Sequence, residues 1–187
     1  MARPPQQLGR LTGDLPTWGP EELIRAAVWT RDRLRQLGIP VDAKARLEES
    51  RLAIERIEKW DVQFEGSGSP TEILHSEAAR TIFQQHFIVR SIDECNPAEI
   101  QRLKHIVGGP LVPTASKEDS ARDAEAELFT AAIFRAGGYK ITWAEPDLVI
   151  EDRYGRLGIA VKRVTSLKDD RYKRRVREAD KQLQRHG

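Results

Sequence analysis

The stretch Glu145-Pro146-Asp147-Leu148-Val149-Ile150-Glu151-Asp152-Arg153-Tyr154-Gly155-Arg156-Leu157-Gly158-Ile159-Ala160-Val161-Lys162-Arg163 decides how the rest of the chain is read. Apolar runs from Asp147 to Ile150 and from Leu157 to Val164 flank Tyr154-Gly155, a turn pair. Strand-forming runs on either side of such a turn predict a hairpin. Its two strands would set Asp147 and Lys162 side by side. A carboxylate there can hold a hard divalent cation such as Mg²⁺ or Mn²⁺. A neighbouring ammonium can orient water or stabilise charge developing on a phosphate. With Ile159 and Val161 facing the core, alternation puts Ala160 and Lys162 on the other face. A lysine inside an apolar run is costly unless paired. The plainer readings are an aspartate following a turn proline and a lysine on a solvent face.

Outward from the hairpin, Ala121 to Ala136 reads as a helix with Phe129, Ala132, Ile133 and Ala136 as its inner stripe. Gly137-Gly138 would end it in a left-handed stop. Tyr139 to Trp143 is a short strand. Ser166 would cap a basic helix from Leu167 to about Arg185. The order helix, strand, strand, strand, helix predicts an α/β sandwich around a small mixed sheet. On the first of these helices Glu127 shares a face with Asp123 and Glu125 does not. Glu127 is expected to point inward and Glu125 into solvent, with a surface position for both as the plainer reading.

Residues 1–19 read as a flexible arm, and residues 20–110 as an all-helical region forming a separate module or a lid. Pro20 with Glu21 and Glu22 suits a helix N-terminus, and Leu23, Ala27, Thr30, Leu34 and Leu37 follow helical spacing. Asp42 would cap a second helix running to Trp60 with Leu47, Ile54 and Ile57 inward. A third, opened by Thr71, would bury Ile73, Leu74, Ala78, Ile82, Phe83 and Phe87. A short fourth begins at Asn96-Pro97. Val112 to Ser120 reads as a linker.

The net charge of +2 is unevenly spread. From Val161 to Gly187 there are ten Lys or Arg against four Asp or Glu, whereas the other residues carry 21 against 25. A basic end on a slightly acidic chain points to a polyanion, with a solvated helix face as the alternative. The single Cys95 excludes an intrachain disulfide and a Cys-rich zinc site, and suggests a reducing, cytoplasmic setting. No apolar run is long enough for a membrane span. The sequence carries no H-E-x-x-H pair, no phosphate-binding glycine loop with Lys-Ser or Lys-Thr and no G-x-S-x-G elbow, which argues against zinc hydrolases, nucleoside triphosphatases and serine hydrolases.

Pro146-Asp147 followed by Gly158-Ile159-Ala160-Val161-Lys162-Arg163 resembles the PD-(D/E)xK nuclease superfamily, over roughly residues 121–187. The resemblance implies an α/β, restriction-endonuclease-like α-β-β-β-α core with an all-helical N-terminal region. It also implies Mg²⁺- or Mn²⁺-dependent cleavage of nucleic acid, DNA in the first place. Glu127 corresponds to the acid on the family's first core helix. Glu127, Asp147 and the Val161 carbonyl would hold metal, and Glu127, Asp147 and Lys162 would be catalytic. Gln182 is similar to the glutamine of a Q-x-x-x-Y element, with His186 in place of the tyrosine. Arg163, Arg171, Arg174, Arg175, Arg177 and Gln182 would contact the nucleic acid. The chain departs from the pattern at Ala160, where the family has an acid, and Glu145 is a weaker replacement. It also ends at His186-Gly187, where the family continues into a further strand, so the sheet is expected to lack an edge. A catalytically inactive module binding nucleic acid or a protein partner is the alternative.

Overall fold

The computed structural model describes residues 18–57, 69–92, 97–112, 120–153, 155–163 and 169–186. The N-terminal arm before Trp18, Trp60, Cys95, most of the expected linker, Tyr154 and the Ser166 cap lie outside these residues. Helices α1 (Pro20–Gln36), α2 (Arg46–Glu55), α3 (Pro70–Arg90), α4 (Pro97–Val107) and α5 (Ser120–Ala136) are followed by strands β1 (Lys140–Thr142), β2 (Leu148–Asp152) and β3 (Gly155–Ile159), and then by helix α6 (Asp169–His186). The described chain is thus a mixed helix-and-sheet protein, mostly helical. Among the described residues no helix is long and apolar enough to cross a membrane.

Local chemistry accounts for the helix starts. Pro20 occupies the first turn of α1, and the Glu22 carboxylate accepts the Gly19 N–H at 3.0 Å. Ser69 and Glu72 form a reciprocal capping box at α3, with bonds of 3.2 and 3.1 Å. Asp42 instead accepts the Lys44 N–H in a turn of its own, and the residue capping α2 is Ala45. On α1 the buried residues are Leu23, Ala26, Ala27, Thr30 and Leu34.

The inner face of α3 differs from the predicted one. Ala78, Thr81, Ile82, Gln85, Ile88 and Val89 are buried, while Ile73 and Phe83 are exposed. Because α3 packs against α1, α2 and α5, neighbours on several sides choose the face. Phe83 lies at its margin, among Trp18 at 5.4 Å and Phe87 at 6.4 Å between ring centroids.

Helix α5 joins the two parts of the chain. It packs on α3 and α4 and also touches β1 and β2, and its Leu128 and Ala132 belong to the same buried cluster as Leu34, Ile54, Ile82 and Leu103. Its buried residues are Ala121, Arg122, Glu125, Leu128, Ala131 and Ala132, whereas Ile133 and Ala136 are exposed. The expectation that Glu125 is solvated is overturned: it is 2% exposed and meets the fully buried Arg46 at 2.7 Å. Arg46 also donates to the Ile106 carbonyl, as does Gln85, so α2, α3, α4 and α5 meet around these polar groups. Burial holds the Glu125 carboxyl above the usual carboxylate range, against the pull of Arg46, Arg80 and Arg122. Glu77 goes the other way: burial pushes it up, but Arg80 and Arg122 outweigh this and lower it.

The sheet has the order β1-β2-β3 and is antiparallel throughout, not mixed. Both links between its strands are too short for a parallel crossover. Leu148, Val149 and Ile150 of the central strand are buried. Leu148 pairs with Ile159, and the ladder stops there. Residues Ala160 to Arg163 run on outside the strand, so Lys162 lies beyond the end of β3 and not in its middle.

Candidate functional site

The link from β1 to β2 is anchored before it reaches Asp147. The Trp143 indole N–H donates to the buried Glu99 at 2.9 Å, and the Arg102 guanidinium lies 4.2 Å from the centre of its ring. Arg135 bonds the same Glu99 oxygen. Helix α4 thereby holds the strand that leads into the site. Pro146, preceded by a cis peptide bond, is buried under β3. A Cβ on Gly158 would stand 2.8 Å from the Pro146 Cδ. Only glycine fits without moving that ring.

Gly158 was not among the residues singled out from sequence, where it read only as part of the motif. Gly158→Ala is expected to destabilise the protein by about 1–3 kcal/mol, the usual size of an overpacking penalty. It should also shift the Asp147 environment. Denaturant melts and the chemical shifts of the Gln182 side-chain amide would show both, and an unchanged variant would mean that Pro146 yields freely.

Asp147 is the centre of the arrangement. Its Oδ2 accepts the Val161 N–H at 2.7 Å and the Lys162 ammonium at 3.2 Å. Its Oδ1 accepts the Gln182 side-chain amide at 2.9 Å. The same amide reaches Glu145 Oε2 at 3.3 Å and bonds the Pro146 carbonyl. The expected side-by-side placement of Asp147 and Lys162 is present, by a different route. The ladder of β2 and β3 ends at Leu148 and Ile159, and the chain beyond it brings the Val161 N–H and the Lys162 ammonium onto the Asp147 carboxylate. The Asp147 and Lys162 side chains keep 15% and 25% of their exposure, so the pair is shielded but reachable.

An open cleft of 450 Å³ adjoins Lys162, lined by Glu145, Lys162, Glu178, Lys181, Gln182 and Arg185. Its lining carries three cations and two carboxylates. Helix α6 supplies four of the six residues, which ties the basic end of the chain to the Asp147 site.

The remaining sequence candidates are distributed around it. Glu127 is held by Arg102 at 2.9 Å, and among the described residues no hydrogen bond or ion pair joins it to Asp147, Val161 or Lys162. One turn earlier on α5, Asp123 accepts Arg163 at 2.8 Å, so this is the α5 carboxylate bonded to the chain segment that carries Lys162. Its i, i+4 relation to Glu127 was visible in the sequence, but which of the two would meet that segment was not. Val161 contributes its N–H. Arg174 and Arg175 both pair with Glu178, at 3.5 and 2.9 Å, and Arg177 is exposed. The Arg171 side chain lies outside the described residues. Among the described residues no three His, Cys, Asp or Glu side chains converge as a metal-binding group. Two carboxylates do approach a common point: Asp147 and Glu145 both lie within bonding reach of the Gln182 amide.

Compared with protein-family models, with curated proteins and with solved structures, the chain gave no match.

Proposed function

We propose that this protein is a metal-dependent nuclease of the PD-(D/E)xK kind, hydrolysing phosphodiester bonds in nucleic acid, DNA in the first place. The observation that carries the reading is the Asp147–Lys162 pair at 3.2 Å, at the end of a β-hairpin and under a basic helix. A carboxylate able to hold a cation and an ammonium able to stabilise developing charge are two of the groups such a hydrolysis uses. The element order α5-β1-β2-β3-α6 supports the restriction-endonuclease-like core.

The donor set fits Mg²⁺ or Mn²⁺. Mg²⁺ typically takes one or two protein carboxylates and fills its other positions with water and substrate phosphate. Asp147, with Glu145 beside it, would hold the ion. A cation so held neutralises phosphate charge and acidifies water. Lys162 would orient the attacking water and stabilise negative charge developing on the phosphate. Gln182 acts through Asp147 by fixing one carboxylate oxygen, and is a positioning residue. Lys181 and Arg185, at the cleft wall, would hold the substrate backbone without reading its sequence.

The test is incubation of the full chain with linear and circular DNA in Mg²⁺ or Mn²⁺, alongside Asp147→Asn, with calorimetric titration of each metal. Nicking or degradation by the wild type, lost together with metal binding in Asp147→Asn, is the expected result. A folded wild type that neither binds metal nor cleaves overturns the proposal.

A second reading rests on Ala160 and Glu127. A methyl group lies where the motif has an acid, and Glu127 is committed to Arg102. A catalytically inactive module would bind nucleic acid in a salt-sensitive, metal-independent manner, or a protein partner, and the same titrations separate it from the nuclease.

A further inference from the structure

A second cleft, of 610 Å³, opens between the C-terminal ends of α3 and α5 and the start of β1. It combines flat aromatic side chains with guanidinium and ammonium groups. Phe87 and Tyr139 supply the rings, and Arg90, Arg135 and Lys140 the charges. Tyr139 is placed there by the end of α5. Gly138 takes φ +85°, which turns the chain out of the helix, and the Tyr139 N–H closes onto the Phe134 carbonyl at 3.0 Å. A Cβ on Gly137 would press on Tyr139 Cδ2 and Cε2 at 3.3 Å, so this glycine lets the ring settle on the helix end. Phe134 buttresses it edge-on at 5.8 Å. Tyr139 nevertheless stays 39% exposed.

The cations differ in how far they are committed. Arg135 is neutralised by Glu99. Among the described residues the one ion pair of Lys140 is a loose contact with Glu151 at 3.7 Å, and its side chain is 77% exposed. Arg90 is exposed, and among the described residues it makes no ion pair. The two helix C-termini bring about half a negative charge each. Arg90 and Lys140 more than offset them, leaving the cleft positive, though weakly.

We propose that this cleft binds a nucleotide unit of single-stranded nucleic acid, its base stacked on Tyr139 and its phosphate held by Arg90 and Lys140. An unstacked base offers the flat face that an aromatic platform takes, and its phosphate offers the charge that the cations take. A paired base within a duplex offers no such face. The site is separate from Asp147, and the proposal does not rest on cleavage.

The test is fluorescence anisotropy of labelled dodecathymidylate with the full chain in a chelating buffer, so that cleavage plays no part. Tyr139→Ala is expected to weaken binding about tenfold, the usual scale for loss of one stacked base, and Tyr139→Phe to retain it. Arg90→Ala, a substitution at an exposed position, should weaken binding and reduce the slope of log affinity against log salt by about 0.7. A duplex of the same length should be insensitive to Tyr139→Ala. Competition with thymidine monophosphate distinguishes the source of the nucleotide: displacement only by the strand assigns a strand, and equal displacement by the monomer assigns a free nucleotide with the same contacts. Wild-type affinity in both Tyr139→Ala and Arg90→Ala overturns the proposal, as does an absence of single-strand binding by the wild type. Neither result touches the Asp147 reading, which is judged by cleavage.

Discussion

Lys162→Met is expected to cleave DNA at least about a hundredfold more slowly than the wild type, the usual loss when one preorganised donor to developing charge is removed. Its fold should survive. Asp147 keeps two of its three donors in the variant, the Val161 N–H and the Gln182 amide, so no carboxylate is orphaned. Asp147, 15% exposed, also keeps some access to water. The two effects therefore separate: the rate collapses while the melting temperature stays close to that of the wild type. Lys162→Arg keeps the charge but spreads it over a planar fork, and should restore only part of the rate. An unchanged rate in Lys162→Met would remove the lysine from the mechanism. Initial rates on supercoiled plasmid in Mn²⁺, paired with a thermal melt of each variant, decide the matter.

The second large effect concerns stability. Arg46→Met leaves Glu125 with its 2.7 Å partner gone and its side chain 3% exposed. Breaking a buried ion pair from one side costs about 3–5 kcal/mol, because the remaining charge stays in the interior. For a chain of this size that lowers the melting temperature by on the order of 10 °C. Replacing both partners, as in Arg46→Met with Glu125→Leu, should recover much of the loss, since two apolar side chains leave neither charge stranded. Scanning calorimetry of the single and double variants measures the difference. A single variant that melts with the wild type would show that water or Arg80, 3.6 Å from the other Glu125 oxygen, takes over the role of Arg46.

Much of the architecture could be read from local signals. Pro20 with its acids and Gly137-Gly138 mark chain directions that depend on neighbours within a few residues. The hairpin was legible because its turn and its apolar runs are contiguous, but its register was not: Gly155, read as a turn residue, belongs to β3 and pairs with Asp152. Burial was harder. Ile133 and Phe83 are apolar and lie on predicted inner stripes, yet both are exposed, because the packed neighbours choose the face and a helix alone does not. Glu125 is the converse: a carboxylate read as solvated that turns inward because Arg46, far away in sequence, waits there.

The site divides along the same line. Asp147 and Lys162 were singled out from the hairpin and Gln182 from the resemblance to the Q-x-x-x-Y element, but the contact of Asp147 with Lys162 is made by the chain beyond the end of β3. The sequence reading named Glu127, and not Asp123, as the α5 carboxylate of the site. The two differ by one helical turn, and only the docking of α5 against α4 sends Glu127 to Arg102 and leaves Asp123 for Arg163. Nor did the sequence show that Glu145 approaches Asp147 through Gln182, or that Gly158 makes room for Pro146. By itself, then, the sequence determined most of the helices and the existence of the hairpin, which short-range chemistry sets. The tertiary structure decided which charges are buried, which carboxylates share a cleft and which cations stay uncommitted, because these depend on side chains that meet only when distant elements pack.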